Sequence, residues 1–73
     1  MLTEDQATKL AIVELGRHGR AASDYNIVVE TYHADPTEWI VWFDRKGRFP
    51  VPGGKEAVRV HKTTGRAIFM PGE

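Results

Sequence analysis

The sequence contains no cysteine. That excludes a disulfide staple and every CxxC zinc or redox arrangement, and it fits a reducing compartment. No apolar run comes near the roughly 20 residues that a membrane-spanning helix needs. The chain begins Met1-Leu2-Thr3-Glu4-Asp5, acidic where a secretory leader is basic and then apolar. The expectation is a cytoplasmic protein with no membrane association. Repeats, low-complexity tracts and long linkers are missing too, so residues 1–73 are read as a single domain. Size is a further limit. A chain this short buries only roughly 60% of its unfolded surface, and typical per-residue values give a stability of about 4–11 kcal/mol. A large cofactor-binding enzyme does not fit, and no cofactor is expected. Hydrophobic content of 41% with seven aromatics is, however, too high for a disordered chain.

Net charge is also absent, but only in the sum. Residues 1–44 carry three basic and eight acidic groups, and residues 45–73 carry seven basic and two acidic. The halves therefore stand at −5 and +5. Such asymmetry marks either an interaction surface or two halves that face each other across a sheet and neutralise locally.

The first segment has the pattern of a helix over about residues 3–18. Thr3 with Gln6 forms a capping-box pattern, and Glu4 and Asp5 suit the positive end of the helix dipole. Ala7, Leu10, Ala11 and Leu15 keep helical spacing, with Ile12 and Val13 widening the apolar surface. Gly16 or Gly19 offers a stop. The period then changes. Tyr25–Tyr32 and Glu38–Phe43 are rich in β-branched and aromatic residues and read as strands, joined by the turn Ala34-Asp35-Pro36-Thr37. Residues 44–54 read as a loop, ending in Pro52-Gly53-Gly54. A third strand, Ala57–His61, places Val58 and Val60 on one face and Arg59 and His61 on the other. Thr63-Thr64-Gly65 is a hairpin turn whose glycine can take the left-handed position, and Arg66–Met70 returns as a fourth strand. The expected fold class is α+β, one N-terminal helix packed on a three- to four-stranded antiparallel sheet in the order α-β-β-β-β.

One helix covers only one face of such a sheet. If Ile27, Val29, Val41 and Phe43 face the helix, alternation gathers Val28, Tyr32, Ile40 and Trp42 on the other. An exposed cluster of this kind points to a partner or a second copy of the chain. The inverted register would instead put Trp39 outside.

Groups that could carry chemistry are incomplete. His33-Ala34-Asp35 with Glu38 could offer metal ligands, but an HxD before proline is the pattern of an Asx-type turn beside a surface histidine. Glu14 and His18 share a helix face and fit an ion pair; a general base would also need a nucleophile and a pocket. Pro52-Gly53-Gly54-Lys55 lacks the longer Gly-spaced loop, the Lys-Ser/Thr step and the following helix of a phosphate loop. Arg45-Lys46-Gly47-Arg48-Phe49, with Arg59, Lys62 and Arg66, could gather phosphates and stack a base. Zero net charge and the lack of a paired-aromatic RNA signature argue against nucleic acid. No catalytic residue, no metal and no enzymatic activity are expected.

The order of motifs is more specific than any one of them. A helix opening with Leu2-Thr3-Glu4-Asp5-Gln6-Ala7 precedes a Trp-containing strand and then Pro52-Gly53-Gly54. Ala57-Val58-Arg59-Val60-His61-Lys62-Thr63-Thr64-Gly65-Arg66-Ala67-Ile68 follows. Over residues 3–70 this resembles small bacterial immunity proteins of polymorphic-toxin and contact-dependent systems, the nuclear-transport-factor-2-fold immunity type. The helix opening and the Val-x-Val…Thr-Gly hairpin also resemble the PepSY domain of protease pro-regions and secreted inhibitors. The first resemblance implies no catalysis and one protein partner, a cognate toxin whose active site or target access is blocked. Alternation, not the resemblance, selects the partner-binding candidates Tyr32, Trp42, Arg59 and His61, and it leaves a homodimer open. A PepSY-like inhibitor or sensor and a small nucleic-acid-binding domain are the alternative functions.

Overall fold

The computed structural model describes residues 1–46 and 55–71. Thr3 opens α1 (Glu4–Arg17): its hydroxyl accepts the Gln6 N–H, and the Gln6 side chain accepts the Thr3 N–H in return. The expected capping box is complete. A 3-10 turn at Ala22–Asp24 leads into β1 (Tyr25–Thr31), β2 (Glu38–Arg45), β3 (Lys55–His61) and β4 (Ala67–Met70). All neighbours are antiparallel and the spatial order is β1-β2-β3-β4. The expected α+β arrangement of one helix on an antiparallel sheet is what the chain adopts, with four strands.

β2 runs two residues further than its apolar run, because Asp44 and Arg45 still pair with Asn26 and Tyr25. The Pro52-Gly53-Gly54 turn and residues 47–49 of the basic loop lie outside the described residues. Between β1 and β2, the Asx turn is present: Asp35 Oδ1 accepts the Thr37 N–H at 3.0 Å and its hydroxyl at 2.6 Å. Between β3 and β4, Gly65 has φ +77°, the left-handed conformation that glycine adopts without steric cost.

The helix buries a narrow stripe. Ala7, Ala11 and Leu15, four residues apart, are fully buried, and two of the three are alanines that let the helix approach the sheet closely. Tyr25, Val41, Phe43, Val58 and Val60 meet them from the sheet. Leu10 and Val13 do not join the apolar face as expected; they are 37% and 59% exposed. Val13 lies roughly 200° around the helix from Ala11 at 100° per residue, on the solvent side.

Candidate functional site

With α1 on one side, the opposite face of the sheet carries the even-numbered residues of β1 and β2 and the odd-numbered residues of β3. Val28 pairs with Trp42, Glu30 with Ile40, and Ile40 in turn with Arg59. No helix covers this face among the described residues. Ile40 and Ala57 are nevertheless 1% and 2% exposed. Ile40 is thus not part of an exposed cluster, contrary to the alternation argument. Its register neighbours on this face are Glu30 and Arg59. Arg59 lies over the Tyr32 ring, 5.4 Å from its centroid, and points Nε at Glu38 Oε1 3.7 Å away. Glu30 Oε1 accepts the Trp42 indole N–H at 3.0 Å.

Trp42 is half-buried and divides the rest of the face. On one side a recess of about 370 Å³ is lined by Trp42, Lys55, Ala57, Met70 and Pro71. On the other, one of about 270 Å³ is lined by Val28, Glu30, Trp42, Asp44 and Lys55. The Lys55 ammonium stands 4.9 Å from the Trp42 ring centroid, within cation–π range. Val28, 55% exposed, continues the apolar surface toward the β1 edge.

All four sequence-selected residues sit on this face, in two groups. Trp42 belongs to the recesses. Tyr32 and Arg59 are stacked at the other end beside Glu38, which is buried. His61, opposite Glu38 in register, has Nδ1 committed to the turn, where it accepts the Thr63 and Thr64 N–H groups at 3.2 Å each. Only its Nε2 is left for another group. Glu30, Lys55 and Met70 were missed. Alternation alone would have placed Glu30 and Lys55 on this face, but putting them beside Trp42 requires the register.

Arg59 Nε has no hydrogen-bond partner among the described residues, and 3.7 Å to Glu38 is longer than a hydrogen bond. Its guanidinium lies over the Tyr32 ring with that Nε buried, so contact with another molecule falls to the outer nitrogens. Asp35, in the loop after Tyr32, has its carboxyl held below the usual value by the Thr37 hydroxyl first and the Thr37 N–H second.

A second polar cluster lies at the helix C-terminus. Arg20 stacks on Phe69 at 5.2 Å and pairs with the buried Glu56 carboxylate at 2.7–2.8 Å. His18 stacks on the same Phe69 ring at 4.1 Å and meets Glu14 at 3.1 Å, the expected helix pair. These contacts tie the helix end to β3 and β4. Among the described residues no three side chains gather as a metal set, and no helix is long and apolar enough to cross a membrane.

The two halves of opposite charge meet across the β2–β3 seam, where Glu38 faces Arg59 and Asp44 is opposite Lys55. Comparison of the chain with protein-family models, with curated proteins and with solved structures gives no match.

Proposed function

We propose that this chain is a non-catalytic cytoplasmic binding protein that neutralises a partner protein docked on the helix-free face of its sheet. The immunity resemblance supplies the class of partner, a bacterial toxin domain. The observation that supports the reading is Trp42, half-buried between two open recesses with its indole pinned by Glu30 and its face met by Lys55. Trp, Tyr and Arg dominate binding energy at protein interfaces, and anchors held in place before binding lose less entropy on docking. Arg59, laid over Tyr32 with its side chain 27% exposed, suits a carboxylate on the toxin through its outer guanidinium nitrogens. The protein occludes the toxin and performs no chemistry on it.

The distribution of cations favours this reading over nucleic acid. Lys55, Arg59 and Lys62 each lie over an aromatic ring: Trp42, Tyr32 and Trp39. Lys62 is on the helix side and the other two are on the open face, so these cations do not form one phosphate-tracking stripe. Co-expression with a candidate toxin-domain protein from a neighbouring gene tests the proposal. Growth rescue together with co-purification of the pair supports it. Neither rescue nor co-purification, or rescue that tracks RNA or DNA binding, overturns it.

A further inference from the structure

β1 is an edge strand, and its pattern is self-complementary. Tyr32 N–H donates to the Glu38 carbonyl and Lys46 N–H to the Asp24 carbonyl, both at 2.9 Å. Bonded and unbonded positions alternate along an antiparallel pair. The even-numbered residues of β1 therefore spend their backbone groups on β2, and Ile27, Val29 and Thr31 turn theirs outward. Tyr25 turns outward too, but its N–H is taken by the Ala22 carbonyl. β1 pairs only with β2 among the described residues.

Most of the usual protections of an edge are missing, Glu30 being the only charged residue of the strand. β1 is Tyr-Asn-Ile-Val-Val-Glu-Thr, seven residues without proline, lysine or arginine. Ile27 and Val28 are 37% and 55% exposed on opposite faces. The other edge, β4, has four residues.

We propose that β1 pairs antiparallel with β1 of a second copy about a twofold axis at Val28, joining two sheets into one of eight strands. This goes beyond the docking of a toxin and does not depend on it. The register sets outward positions against outward positions, with one bond forgone at Thr31–Tyr25, where the Tyr25 N–H is already taken. Ile27 falls opposite Val29 of the second copy, so outward N–H and carbonyl groups meet as bonded pairs. Thr31 falls opposite Tyr25, also an outward position. Val28 meets Val28 at an unbonded pair, where Cα atoms stand about 4.5 Å apart. Asn26 meets Glu30, an amide donor against a carboxylate. A shift of one residue would set outward groups against groups already used by β2.

The apolar surface is also continuous across the axis. Val28 neighbours Trp42 in register, so the open faces join as Trp42–Val28–Val28–Trp42. On the helix side, Ile27 and Val29 of each copy cover one another. A single-strand seam belongs among small interfaces, below about 1,200 Å² in total, so the dimer should be weak and concentration-dependent.

Sedimentation equilibrium of the full chain, with amide NMR over the same concentrations, tests this. The mass should rise from monomer to dimer. Concentration-dependent amide shifts should centre on Ile27, Val29 and Thr31, while the Val28 and Glu30 amides stay protected throughout. Val28→Lys, which sets two ammonium groups on the axis, should weaken the dimer about tenfold or more. Ile27→Pro removes an outward N–H without touching the β1–β2 ladder and should do the same. A chain that stays monomeric, a dimer undiminished in both variants, or shifts centred on β4 would overturn the proposal.

Discussion

At the scale of single residues, Trp39 and Trp42 stand three positions apart on β2 in opposite surroundings. Trp39 packs with the helix-side core, donates its indole N–H to the Leu2 carbonyl at 3.1 Å and carries Lys62 on its ring. Trp42 is half-buried on the other face, opposite Val28. That division follows from the period of two, and it was legible as soon as Val41 and Phe43 were assigned to the helix. The ion pair Arg20–Glu56 was not legible. Its members are 36 residues apart, and nothing local says that Glu56 will be buried. Arg20→Ala strands that carboxylate and should cost about 2 kcal/mol in urea denaturation, trimmed by the partial exposure of Arg20. Replacing Glu56 by Leu in the same variant should recover much of the loss. Asp35 offers a cleaner electrostatic test. Thr37→Ala removes the hydroxyl bond that does most to lower its pKa and should raise that pKa toward the ordinary carboxylate value in an NMR titration. A depressed carboxylate favours the fold above its unfolded pKa. In the parent protein that contribution is lost as pH falls from the ordinary carboxylate range through the lowered folded value; in the variant the loss begins at the same pH, but the contribution should be smaller and gone at a higher pH.

At the scale of elements, each boundary has a chemical cause. α1 begins where Thr3 and Gln6 cap it, and β4 begins after Gly65 turns the chain. Gly65→Ala should destabilise by about 1–2 kcal/mol, since an L-residue resists this φ and its Cβ would come 3.3 Å from Leu10 Cδ1. A thermal melt of the variant beside the parent checks it. Such turns are legible because a short Thr-Thr-Gly segment between alternating runs has few conformations. The end of β2 was not, because Asp44 and Arg45 have no strand propensity of their own. They are held by pairing with Asn26 and Tyr25, a long-range effect that a local window misses. The solvent-facing Val13 was misjudged for a similar reason: how wide a helical stripe is buried depends on the sheet opposite it.

At the scale of the whole molecule, sequence asymmetry resolves into sheet geometry. The acidic half supplies β1 and β2, the basic half supplies β3 and β4, and the seam between them brings Glu38 to Arg59. Alternation located the helix-free face. It failed to show that Ile40 would be buried there, because that depends on where Glu30 and Arg59 lie across two neighbouring strands. The central claim is that Trp42 anchors a toxin domain on this face. It is tested by measuring denaturant midpoint and toxin affinity on Trp42→Ala and Trp39→Ala in parallel. Trp42→Ala should fold with a midpoint near the parent's and bind about 30-fold more weakly, the equivalent of about 2 kcal/mol, while Trp39→Ala should lose about 3 kcal/mol of folding stability. Parent-like affinity in a folded Trp42→Ala protein would contradict the account.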